Sequence, residues 1–328
     1  MDKIRFVLHL AVTRFRSSGS EISVTKSLLL KLHRWTSLVF ALPLLAIILT
    51  GFILAFEPIA QLDGITPHSV DAARVTDLIK RYDPDGKARG IFINAAAQRL
   101  RFQGPGAAQI DLVSGEPITP STSLADIFVW ARFTHERLLG QHWLVISSTV
   151  AMLVVMILGI AMGFPRLRNN LAGWHKAAAW FTLPVILLCP LTALGMALGL
   201  TFSGAAPAPQ GRPLSLPDAV RVVAQSRDLA SVISIVSRGG STLARIYDGG
   251  ELRFYAVGAD GLTPLPRNWP RLIHEGNGAV MVTSPLNVLV SLTLFALLVT
   301  GVASWWRRGS RPRQARRDDA AVSLKSAA

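Results

Sequence analysis

One stretch limits what this chain can become. Leu38–Phe56 holds 19 consecutive residues without a charge, and KLHRW (Lys31–Trp35) stands immediately before it. At about 1.5 Å per residue, such a run crosses a bilayer core as a single helix. The layout recurs at Gly173–Leu200, GWHKAAAWFTLPVILLCPLTALGMALGL. In both places a histidine comes first, a Leu-Pro pair follows with its proline nine or ten positions on, and Thr and Gly lie deeper. Spans are therefore expected at Leu38–Phe56, Trp143–Phe164, Trp180–Leu200 and Leu286–Trp306. Half of the 328 residues are hydrophobic and the mean hydropathy is +0.39, too apolar for an ordinary soluble domain of this size.

The formal charge of +14 invites a nucleic-acid reading. The basic residues argue against it, because they bracket the spans. Lys26, Lys31 and Arg34 precede the first, Arg166, Arg168 and Lys176 fill the link after the second, and Arg307, Arg308, Arg311, Arg313, Arg316 and Arg317 follow the fourth. Lys and Arg in short loops stay cytoplasmic, which places both termini and the middle link inside. The first 20 residues, with His9 interrupting a short apolar run, read as a basic amphipathic segment on the inner leaflet rather than a cleavable signal. The single Cys189 excludes a disulfide framework.

Two segments of about 80 residues lie on the other side. SVDAARVTDLIKRY, GIFINA, RLRFQ and AQIDLVSGEPITP in the first match LSLPDAVRVVAQSR, VISIVSR, TLARIYDG and LRFYAVGADGLTP in the second. Each reads as an amphipathic helix followed by three short strands. Each then closes on a His-Glu: WARFTHERLLG around His135, WPRLIHEGNG around His274. The unit of span, small α+β domain, His-Glu and span therefore occurs twice. The expected organisation is a cytoplasmic basic segment 1–27, span 28–56, outer domain 57–141, span 142–165, link 166–176, span 177–200, outer domain 201–284, span 285–306 and basic tail 307–328.

Four of the seven histidines fall at matched places in this repeat: His33 and His175 at the inner ends of the first and third spans, His135 and His274 outside the second and fourth. Two histidines at one depth of a helical bundle can take both axial positions of a haem iron. They can equally be polar anchors at the membrane surface, copied when the unit was duplicated. Thr36, Ser37, Ala178, Ala179, Gly276 and Gly278 leave room for a flat ring beside three of them, whereas Leu138 and Leu139 near His135 are bulkier. A zinc site from one His pair would have only Glu136 or Glu275 to complete it. His142, two turns from His135, and its counterpart Met281 form a rival ligand pair. His9 and His68 have no counterpart. Gly159/Gly163 and Gly195/Gly199 carry the spacing that lets helices approach closely. Arg99, Arg101, Arg245 and Arg253, on predicted strands, either attract an anionic chelate or form a solvated face.

Taken together, LHRW, THERLLG, GWHK, LIHEG with its WWRR ending, and the DLVSGEP turn resemble the PepSY-associated transmembrane family. These are iron-regulated inner-membrane proteins of bacteria that include ferric-siderophore reductases. The resemblance runs from about Leu28 to Arg308. It implies a membrane α-helical fold, a four-span bundle from a tandem repeat with two small periplasmic α+β PepSY-like domains. It further implies two haems b, with His33, His175, His135 and His274 as axial ligands, and electron flow from a quinol or redox-partner protein to a periplasmic ferric-siderophore or other ferric chelate. Depth, rather than the family, pairs His33 with His175 and His135 with His274. No G-x-G-x-x-G follows a strand, so no nicotinamide or flavin domain is expected. The competing class is a membrane-anchored PepSY module that binds or regulates a periplasmic protein without redox activity. A transporter fits less well, since no span holds a carboxylate or lysine.

Overall fold

The protein is described by a computed structural model covering residues 19–104, 108–118, 124–164, 168–204 and 213–309. The expected inner-leaflet segment up to residue 18, with His9, and the tail beyond 309 lie outside the described residues.

Four helical segments are long and apolar enough to cross a membrane: Ala41–Asp63, His142–Ala161, Leu171–Ala197 and Val280–Arg307. Only 11–28% of the most apolar window of each is buried. Most of that surface faces outward, an arrangement suited to lipid. The first span is entered through helix α1 (Gly19–Val39), which passes into α2 (Ala41–Leu54) and the short α3 (Glu57–Asp63). The α1/α2 joint has a local cause. Pro43 has no N–H to offer the Val39 carbonyl, so the helix yields there while Phe40 N–H still donates to Thr36 O (3.2 Å) and Leu44 N–H to Phe40 O (2.9 Å). The interior between the spans is built from Leu44, Ile48, Met152, Ile186, Val290 and Leu294, with every span contributing.

The segments outside the spans form one layer. The first gives α4 (Ala72–Tyr82) and strands β1 (Gly90–Asn94), β2 (Arg99–Gln103) and β3 (Gln109–Asp111). Before the second segment come α5 (Leu124–Glu136), α6 (His142–Ala161) and α7 (Leu171–Ala197); the segment itself gives α8 (Leu216–Ser226), β4 (Val232–Arg238), β5 (Ser241–Asp248), β6 (Glu251–Gly258) and β7 (Gly261–Pro264). Asp71 and Ser215 cap α4 and α8 with side chains that accept from backbone N–H groups of the first turn. All seven strands join one antiparallel sheet in the order β3-β2-β1-β4-β5-β6-β7. The two segments meet at β1 and β4, with Gly90 opposite Val236 and Ile91 opposite Ile235. Glycine is required at that seam: a Cβ on Gly90 would stand 2.7 Å from the Ile235 carbonyl oxygen.

Neither segment is large enough to bury a core alone. The shared sheet solves this. Val75, Leu78 and Ile79 of α4 and Val220 and Val223 of α8 pack on one face against Ile91, Leu100, Ile235 and Ile246. Each of these side chains contributes roughly 1.5–3 kcal/mol by leaving water. The other face of the sheet rests on the bundle through Tyr247 and Leu252, which meet Val280, Ile59 and Leu62. Ser284 Oγ donates to the Ala55 carbonyl at the same level.

Two helices lead from this layer into spans, α5 before α6 and α9 (Trp269–His274) before α10 (Val280–Gly309). α5 lies along α2, and α9 along α7. α5 turns Ile127, Val129, Trp130 and Phe133 outward, so its free face is as apolar as a span.

Candidate functional site

Each matched histidine is held by Nδ1 against a neighbouring helix. His33 Nδ1 lies 2.9 Å from the Val155 carbonyl of α6. His135 Nδ1 lies 3.0 Å from the Ile47 carbonyl and 3.2 Å from Thr50 Oγ1, both on α2. His175 Nδ1 meets Thr300 Oγ1 of α10 at 2.9 Å, and His274 Nδ1 meets Thr192 Oγ1 of α7 at 3.2 Å. The Leu297 and Cys189 carbonyls are also within reach of these last two rings.

The threonines decide which nitrogen carries the proton. Thr50, Thr192 and Thr300 each donate their hydroxyl proton back to the carbonyl four residues earlier, at 2.7, 2.6 and 2.6 Å. Their oxygens are left to accept, and carbonyls can only accept. All four rings must therefore carry the proton on Nδ1 and present a bare lone pair at Nε2. No hydrogen-bond partner engages Nε2 in any of them among the described residues. A metal-ligating imidazole has this arrangement, with one nitrogen tied to a carbonyl or other acceptor and the other free.

The spacing supports pairing. His135 and His274 come from α5 and α9, yet their ring centres are 6.1 Å apart at an interplanar angle of 46°. Two imidazoles on opposite sides of one metal, at nitrogen–metal bonds of about 2.0–2.1 Å, have centres roughly 6–6.5 Å apart. His33 and His175 lie within electrostatic range of each other toward the other end of the bundle. The two levels are 17 residues apart on both carrying helices, from His33 to Thr50 and from His175 to Thr192. That corresponds to about 25 Å of helix rise. No group of three or more His, Cys, Asp or Glu side chains placed for a metal ion occurs among the described residues. Each pair thus supplies two nitrogen ligands, which suits an iron whose other positions are filled by a macrocycle.

Three rings lie edge-on to a glycine. A Cβ on Gly51 would stand 3.1 Å from His135 Cε1, on Gly301 3.5 Å from His175 Cε1, and on Gly159 3.8 Å from His33 Cε1. This revises the small-residue reading of the spans. Gly159 makes room for a histidine, and Gly195 faces Pro270. Gly163 and Gly199 sit past the ends of α6 and α7 with φ of 81° and 71°, the left-handed stop that glycine adopts most easily.

Above the outer pair, a charged network joins the two halves. Arg132, three residues before His135, pairs with Glu57 and, at 3.5 Å, with Glu136. Arg271, three residues before His274, pairs with Glu275 at 2.8 Å, and Arg245 reaches the same carboxylate at 3.5 Å. Gln61 donates to Glu57 at 2.9 Å, Asn277 donates to Glu275 at 3.0 Å, and the Tyr247 hydroxyl lies within hydrogen-bond distance of both amides. Burial alone would raise the Glu275 carboxyl, but Arg245, Arg271 and Arg132 outweigh it and hold the group below its ordinary value. Burial, and then the neighbouring His274, push the His135 imidazole down to about 4, which keeps it neutral and able to ligate.

The other sequence candidates fall elsewhere. His142 is exposed, with Nδ1 3.2 Å from the Glu136 carbonyl, and Met281 is 69% exposed, so neither takes part in the ring pair that forms. His68 is exposed in a turn. The four strand arginines do not form one face open to a ligand. Arg99 pairs with Asp126, Arg253 with Glu251 and Arg245 with Glu275, and Arg101 lies over the Phe92 ring. Thr50, Thr192 and Thr300 carry roles that reading for ligands overlooks. For Thr50 and Thr192 the signal is the equal His-to-Thr interval in the first and third spans.

No curated protein matches the chain. The model of the family described as PepSY-associated TM region matches residues 30–308, including all four histidines and both outer segments, and the chain belongs to that family.

Proposed function

We propose that this protein is a two-haem b electron-transfer protein of the bacterial inner membrane that reduces a ferric chelate on the side of the sheet. We read it as a tandem repeat, with a PepSY-like α+β domain in each half, both termini inside and the sheet in the periplasm. The observation that carries this reading is the common state of four histidines: Nδ1 anchored, Nε2 bare, with one pair at the spacing two axial ligands need.

Bound haem supplies reversible one-electron exchange between Fe(III) and Fe(II). The chain's own residues do the rest. His33 and His175 form the inner ligand station, His135 and His274 the outer one. The carbonyls and threonines hold the rings in one tautomer, and Arg132, Arg245 and Arg271, paired with Glu57, Glu136 and Glu275, form a charged network beside the outer station. A quinol, or a reduced partner protein, supplies the electrons at the basic end; one quinol gives two electrons and two protons and reduces two ferric centres. Fe(II) binds hard oxygen chelators less tightly, so release needs no cleavage of the chelator.

The test is haem stoichiometry in the purified full-length protein. Two haems per chain are expected, falling to one in His33→Ala and one in His135→Ala. A folded, colourless protein from haem-replete cells would overturn the reading and leave a membrane-anchored binding module.

A further inference from the structure

A cavity of about 760 Å³ lies between the bundle-facing side of the sheet, the segment following α7 at Thr201, Ser203 and Gly204, and the start of α9. Its size is that of sites that enclose a small-molecule ligand. Four arginines line it: Arg89, Arg238, Arg245 and Arg271. Among the described residues no carboxylate does. Arg89 and Arg238 are exposed at its edge and have no carboxylate partner among the described residues. Arg245 and Arg271 are less exposed and share the single carboxylate of Glu275. Four guanidinium groups against one carboxylate leave the cavity strongly positive, and its low-dielectric walls concentrate that field.

A second observation points to a ligand. Ser234 lines the cavity, is 1% exposed, and its Oγ has no hydrogen-bond partner. Arg245 Nε is likewise buried without a partner. Buried donors of this kind are expensive unless something accepts from them. An oxyanion with several carboxylates would neutralise the arginines through paired N–H···O contacts. Its position follows from α9: Arg271 stands three residues before His274, on the same side of the helix.

We propose that this cavity binds a multiply charged oxyanion, a soluble metal chelate whose carboxylates are held by Arg89, Arg238, Arg245 and Arg271. That the bound metal is the electron acceptor rests on the electron-transfer reading above; the anion site does not.

The two are separable by using gallium(III) citrate, which cannot be reduced in place of iron. Calorimetric titration of the full-length protein in detergent is expected to show saturable binding that weakens with added NaCl. The double variant Arg89→Gln/Arg238→Gln should lose about ten-fold or more in affinity with its visible spectrum unchanged. Absence of binding, or equal affinity in the double variant, overturns the proposal. So does equally tight binding of a neutral gallium tris-hydroxamate. Binding of short-chain phosphatidylglycerol but not gallium citrate would assign the cavity to a lipid headgroup and overturn it as well. A colourless protein that binds gallium citrate would sink the haem reading and leave the anion site standing.

Discussion

Thr192 and Thr50 set the tautomer of the two histidines that the proposed function assigns to the outer haem. Each spends its own proton on the backbone and so compels the imidazole to present Nε2. Carbonyls at Cys189 and Ile47 back up that constraint. On the two-haem proposal, Thr192→Val should keep both haems but shift the potential of one and weaken its retention up to about ten-fold. Redox titration and haem transfer to apomyoglobin would read this; unchanged values would remove the threonine from the site. The histidines were legible because they fall at matched places in the repeat, but their tautomer was not, since it depends on hydroxyls and carbonyls from other helices. Glu275 gives a pH prediction. Its folded pKa lies below the unfolded value of about 4.3, so its contribution is complete above that pH and is lost as pH falls through the folded pKa. Glu275→Gln should flatten the acid limb of thermal stability measured in detergent. An acid limb identical to that of the unmodified protein would contradict it.

At the scale of elements, the spans were readable from charge-free length, and the outer helices from their periodicity. Strand partnership was not. GIFIN and VISIVSR each alternate well enough to form a strand, yet alternation says nothing about which edge a strand will join. The clue is Gly90, whose missing side chain lets β1 approach β4. Gly90→Val should open that joint and cost roughly 1–3 kcal/mol. Unfolding in a denaturant series would measure the loss, and a neutral effect would show that the strands do not rely on close approach. The proline in the first span also acts locally: α1 and α2 remain stacked across Pro43, so the residue bends the path without ending it.

For the whole molecule, the apolar girth of the bundle and the sheet at one end define a sidedness that can be checked directly. With Cys189 replaced by Ser, a single cysteine at Asp85 is expected to react with a membrane-impermeant maleimide in intact spheroplasts, and one at Arg168 only after lysis. The opposite pattern would invert the proposed orientation. The continuous sheet has a further consequence for how the chain is assembled. Strand β4 closes on β1 across the midpoint of the sequence, so the halves grip each other through backbone hydrogen bonds as well as through lipid-embedded helices. A polypeptide severed in the link between α6 and α7 should not fall apart. Co-expressed fragments are expected to copurify as one particle through a tag on either piece, and Gly90→Val should lower that recovery, making the seam a splice that substitutes in part for covalent continuity.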